Sequence, residues 1–100
     1  CQAQGNSASQ PVLIIEVLSD STRQTDLTLK LHDYRQIPSL QEYIVLEQDF
    51  MAALAYRRSD GWKATSYTQA SDTISLASIG CTLSLAEIYA RVEFEEKRAV

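Results

Sequence analysis

Residues 12–18 read Val-Leu-Ile-Ile-Glu-Val-Leu, an apolar run broken by a single carboxylate. Val, Ile and Leu fall on both parities of this run. A strand with that pattern is buried on both faces, as at the centre of a sheet. Glu16 must share the burial. A buried carboxylate left unpaired costs several kcal/mol, so it takes a proton, a cation or a metal.

The residues that follow set up a second feature. Ser19, Asp20, Ser21 and Thr22 favour turns and helix caps. A helix is expected from about residue 25 to 36, stopped by the Ile37-Pro38 step. On it Asp26, Lys30 and Tyr34 are spaced i, i+4, i+8 and lie near one face. Leu27, Leu31 and Tyr34 form an adjoining apolar stripe able to pack on the strand. One buried acid and one helical lysine can therefore converge on one site.

The rest of the chain alternates short strands with turn signals. Residues 1–10 are small and polar without periodicity and read as a loop. Residues 42–47 (EYIVLE) and 51–57 (MAALAYR) read as strands,. Ser59-Asp60-Gly61 carries an Asp-Gly hairpin signal, with a returning strand at 62–67. A short strand is expected at 73–76, a turn at 78–80 and a final helix at 84–93. Residues 94–100 (FEEKRAV) read as a charged tail that frays. The order predicts a single mixed α/β or α+β domain over residues 11–93.

Composition narrows the function classes. Nine basic and thirteen acidic residues give a net charge of −4, which argues against a free-standing nucleic-acid-binding surface but leaves room for a local basic cleft. Arg57, Arg58 and Lys63 are expected to be solvated. Cys1 and Cys81 are too few for a disulfide framework or a zinc ribbon and read as free thiols of a reducing compartment. No apolar run approaches a membrane span and no signal-peptide order is present, so a cytoplasmic location is the default.

Candidate chemistry centres on Glu16. It is either a strand acid facing solvent or an arginine, or a ligand for a divalent cation and general base. Mg²⁺ is usually held by one or two carboxylates together with water and phosphate oxygens. No second buried acid is visible in the chain, although Glu47 ends a strand and could reach the same end of the sheet. Lys30 is either a surface lysine paired with Asp26 or a group that stabilises charge on a phosphoryl group. His32 points off that face, and Ser19 lacks a nearby base. There is no Gly-rich phosphate loop, paired-cysteine motif or serine-nucleophile elbow.

Taken together, PVLIIEVLSDST, then Asp26, Lys30 and Tyr34, then IPSLQEYIVLEQD resemble the Uma-type endonuclease family of the PD-(D/E)XK restriction-endonuclease-like superfamily. The later DGW, ISLASIG and LSLAEIYARV also fit, so the resemblance spans about residues 11–92. It implies a restriction-endonuclease-like mixed sheet flanked by helices, acting on DNA with Mg²⁺. Glu16 matches the metal-binding glutamate. Leu18 stands where the superfamily often has lysine, and Lys30 looks like its migrated replacement, with Asp26 and Tyr34 supporting. The family's first metal ligand lies upstream in a Tyr-Pro-Asp motif ending near a cysteine, which Cys1 resembles. The resemblance thus implies the C-terminal half of such a domain, with its N-terminal part missing and little activity alone. The alternative is a non-catalytic dimerising or partner-binding module, in which an open sheet edge invites a homodimer or strand exchange.

Overall fold

The structure, a computed structural model, describes residues 10–18, 23–91 and 97–99, with side chains described for all of these except 23–28 and 97–99. Its frame is a mixed five-stranded sheet in the strand order Ala64–Tyr67, Ala53–Arg57, Glu42–Glu47, Leu13–Leu18, Lys97–Ala99. Strand β1 (Leu13–Leu18) is followed by helix α1 (Arg23–Arg35) and then by β2 (Glu42–Glu47). β2 lies parallel to β1 with Glu16 opposite Val45. Parallel neighbours need a crossover of this kind, and α1 supplies it. β3 (Ala53–Arg57) and β4 (Ala64–Tyr67) then add antiparallel strands on the far side of β2.

Strand alternation sends side chains to two cores. On one face Ile14, Leu18, Tyr43, Val45 and Tyr56 pack with Leu31, Tyr34 and Ile37 from α1 and its C-terminal end. On the other, Leu13, Ile15, Ile44 and Leu46 meet a separate hairpin and helix α2 (Leu85–Arg91). That hairpin is β5 (Thr73–Leu76) with β6 (Cys81–Ser84). Ser84 caps α2: its Oγ accepts from Glu87 N at 3.1 Å, and Glu87 Oε1 accepts from Ser84 N at 3.0 Å,. Hydrogen bonding from the Ser84 backbone N–H, and then from the Ser84 side chain, holds the Glu87 carboxyl below its usual range.

Several expectations are corrected. The tail does not fray throughout: β7 (Lys97–Ala99) pairs antiparallel with β1. A strand apolar on both parities is a central strand, and β7 gives it its second neighbour. The edge of β1 expected to lie open is therefore covered. No strand was expected between the turn at 78–80 and the final helix, yet the alternation of Cys81 and Leu83 suffices to pair β6 with β5. The Asp-Gly signal does not make a two-residue hairpin. A 3-10 turn at Arg58–Asp60 precedes Gly61 (φ 66°) and Trp62 (φ 63°) in left-handed conformation, so β4 starts later, at Ala64. Trp62 tolerates that backbone because its indole is buried and Arg58 stacks 5.0 Å from the ring centroid,.

Arg57 and Arg58 are not solvated as expected. Arg57 donates to the Ser75 carbonyl at 2.9 Å and to Glu42 at 3.3 Å. Arg58 donates to the carbonyls of Leu40 and Ile37, each at 2.8 Å, and to that of Arg35 at 3.5 Å, gathering the C-terminal end of α1,. Cys81 is disulfide-bonded rather than a free thiol, and Cys1 lies outside the described residues. Among the described residues no helix is long and apolar enough to cross a membrane.

Candidate functional site

Glu16 sits in the middle of β1 and is 2% exposed. Being of the same parity as Ile14 and Leu18, it points to the face covered by α1. Its charge is met there by three donors. Lys30 Nζ lies 3.1 Å from Oε2. Tyr34 OH donates to the same oxygen at 3.0 Å. Tyr43 OH, from the neighbouring strand β2, donates to Oε1 at 3.0 Å. The i, i+4 spacing on α1 brings Lys30 and Tyr34 to one carboxylate, and the parallel register puts Tyr43 beside it.

The three tyrosines of this face are stacked into the site. The Tyr34 and Tyr43 rings meet edge-on at 5.1 Å, and Tyr43 stacks on Tyr56 at 5.8 Å. Burial, then the nearby Glu16 charge and the hydrogen bond to it, push the Tyr43 phenol far above its ordinary value. Burial also raises Tyr56 and Tyr89. A folded-state value above the unfolded one near 10 gives stability that is present below that pH. It is lost as unfolded-state phenols ionise at higher pH. Phenolate absorbance followed from pH 8 to 13 should therefore show these three tyrosines ionising late, together with unfolding. Tyr43→Phe should remove the latest component; an unchanged profile would show that Tyr43 is not the shielded phenol.

The structure brings together Glu16, Lys30 and Tyr34 as the sequence suggested. Asp26 lies on α1, but its side chain is outside the described set, as is Ser19 altogether. His32 is exposed on the far side of the helix. Leu18 fills an apolar place on the Glu16 face and is buried. Tyr43 was missed. Its signal was present: a tyrosine of buried parity in a central strand needs a partner for its hydroxyl.

A second buried acid was also missed. Glu42, 2% exposed, starts β2 on the opposite face from Glu16, since it shares parity with Ile44 and Leu46. Its Oε1 accepts from Ser78 N at 3.0 Å and Ser78 Oγ at 2.6 Å. Its Oε2 accepts from Arg57 Nε and Ala77 N, each at 3.3 Å. Glu42 thus anchors the β5–β6 turn and cannot join Glu16 at one ion. Glu47 has the parity of Tyr43 and lies opposite Leu18, one pleat beyond the Val45 that faces Glu16.

As a carboxylate, Glu16 is of the donor type that holds Mg²⁺. The carboxylate is buried, fixed by hydrogen bonds, and already neutralised on Oε2 by a cation, the Lys30 ammonium. Among the described residues there is no group of three His, Cys, Asp or Glu side chains able to hold a metal. Further ligands would have to be water, phosphate oxygens or residues beyond this set.

The chain resembles known proteins over most of its length. The family model "Uma2: Putative restriction endonuclease" matches residues 2–86. An uncharacterised protein of Synechocystis sp. is 35% identical over 86 residues, covering 84% of this chain and 45% of that protein. The crystal structure of a putative nuclease of the DUF820 group from Anabaena variabilis shares the fold, with a TM-score of 0.62 at 20% identity. That match covers 80% of this chain and 44% of the other. The chain spans about half the length of these relatives.

Proposed function

The chain belongs to the Uma2 putative restriction endonuclease family, and from that premise we propose that it carries the Glu16–Lys30 part of a metal-dependent DNA endonuclease site. The observation that carries the reading is a carboxylate buried at the centre of a sheet and aimed at one helical lysine. Glu16 would hold the cation, Mg²⁺ in this proposal. The bound cation would polarise a phosphoryl oxygen and sharpen a water nucleophile. Lys30, more than a third exposed, would stabilise the negative charge that builds on the phosphate as water attacks and the ester oxygen leaves in line. Tyr34 and Tyr43 fix the carboxylate, and Asp26 enters the proposal as a supporting residue by its sequence position alone, four residues before Lys30. A second carboxylate would come from outside the described residues. The non-catalytic reading drew on an open edge at β1, and β7 occupies that edge.

The test is nicking of supercoiled DNA in Mg²⁺ or Mn²⁺ by a protein covering the full length of the relatives, with this chain alone beside it. Glu16→Ala and Lys30→Ala in the longer protein should each cut the rate by roughly 10²–10³-fold. Cleavage unaffected by either substitution would remove both residues from the mechanism. No cleavage with any divalent cation would end the endonuclease reading.

A further inference from the structure

We infer that Lys30 is a built-in competitor for the cation at Glu16: it holds Oε2, which it shares with the Tyr34 hydroxyl, while Tyr43 holds Oε1. This rests on the metal-ligand reading above and adds how that site is loaded.

Both oxygens of Glu16 are engaged, but by donors of different freedom. Tyr43, on Oε1, has no exposed surface and is wedged between the rings of Tyr34 and Tyr56. It cannot swing away without opening the core on that face of the sheet. Lys30, on Oε2 beside the Tyr34 hydroxyl, has 38% of its side chain exposed. An ammonium on a four-carbon stem can leave by rotation about several bonds. The path to the carboxylate is therefore the path that Lys30 takes.

An ammonium and a divalent cation repel each other and cannot share Oε2 at contact distance. In the metal-free protein the site is self-neutralised, so the buried charge of Glu16 is tolerated without a metal. Loading the site requires Lys30 to let go. The same displacement carries its positive charge to the solvent side, where a phosphate would be met. Occupation of Glu16 and delivery of Lys30 are thereby one event.

Mn²⁺ titration by calorimetry tests this on a protein covering the full length of the relatives, as the parent and as Lys30→Gln, Lys30→Arg and Glu16→Ala. Lys30→Gln keeps a hydrogen-bond donor without the charge, and should bind Mn²⁺ about tenfold tighter or more. Lys30→Arg should bind as the parent does or more weakly, and Glu16→Ala should not bind. Equal or weaker binding by Lys30→Gln, with Glu16-dependent binding intact in the parent, would overturn the competition and leave the metal-ligand reading standing. No binding by parent or Lys30→Gln would overturn both. A second readout needs no variant: the lysine side-chain NMR signal of Lys30 in the parent should move to the position of a solvent-exposed ammonium as Mg²⁺ is added. A signal that stays fixed while Mg²⁺ binds would also overturn the competition.

Discussion

Glu42→Ala is expected to lower the unfolding free energy by about 3–5 kcal/mol. Four donors converge on this carboxylate, and alanine leaves them without their shared acceptor. Two are backbone N–H groups, of Ala77 and Ser78. Leaving a buried donor unsatisfied costs about 1–3 kcal/mol. The third is the Arg57 guanidinium, whose side chain is 19% exposed and which keeps only part of its bonding through Ser75. The fourth is the Ser78 hydroxyl. These donors belong to the end of β3 and to the turn between β5 and β6, so the loss unfastens the hairpin from the sheet as well. Against a total stability of about 5–15 kcal/mol, such a loss places the variant near its unfolding threshold. Ser78→Ala removes one donor and should cost about 1 kcal/mol. Urea unfolding monitored by Trp62 fluorescence gives both numbers from midpoints, provided the slope is unchanged. A loss under about 1 kcal/mol for Glu42→Ala would mean that water replaces the carboxylate and that the node does not hold the hairpin.

The difference between Glu16 and Glu42 shows what the sequence makes legible. Glu16 interrupts an apolar run, so burial is evident from its immediate neighbours, and its partner Lys30 sits on the next element at helical spacing. The site could therefore be read locally. Glu42 and Glu47 bracket EYIVLE symmetrically, and nothing local distinguishes them. What buries Glu42 is a turn more than thirty residues away, and such a contact leaves no periodicity in the chain. Arg57 and Arg58 were misplaced for the same reason: adjacent charges read as surface until carbonyls from distant segments are brought to them. β7 was missed because its lysine and arginine carry no strand pattern. Its pairing comes from the backbone groups that a central β1 leaves to be satisfied. The mixed α+β architecture was legible because runs and turn signals are local. The αL pair Gly61-Trp62 was not, since it is held by packing of the indole under Arg58.

Replacing the whole polar cluster with apolar groups of like shape (Glu16→Leu, Lys30→Met, Tyr34→Phe, Tyr43→Phe) should leave stability unchanged or raise it by about 1–4 kcal/mol. Glu16→Ala alone should lower it by about 3–5 kcal/mol. The contrast follows from what each change leaves behind. Truncating Glu16 strands two phenols and removes a buried anion from beside an ammonium. The fourfold change removes every group that needed solvation and keeps the volume filled. Most of the gain should come from Glu16 and Tyr43, because Lys30 is partly in water and its pairing is screened,. A cluster that can be replaced at no cost to the fold is one whose charge serves something other than the fold. Thermal and urea unfolding of the two proteins therefore bear directly on function. If the fourfold variant falls as far as Glu16→Ala, Glu16 is a structural acid whose three donors are part of the core. The burial of a carboxylate at the centre of β1 would then no longer point to a site.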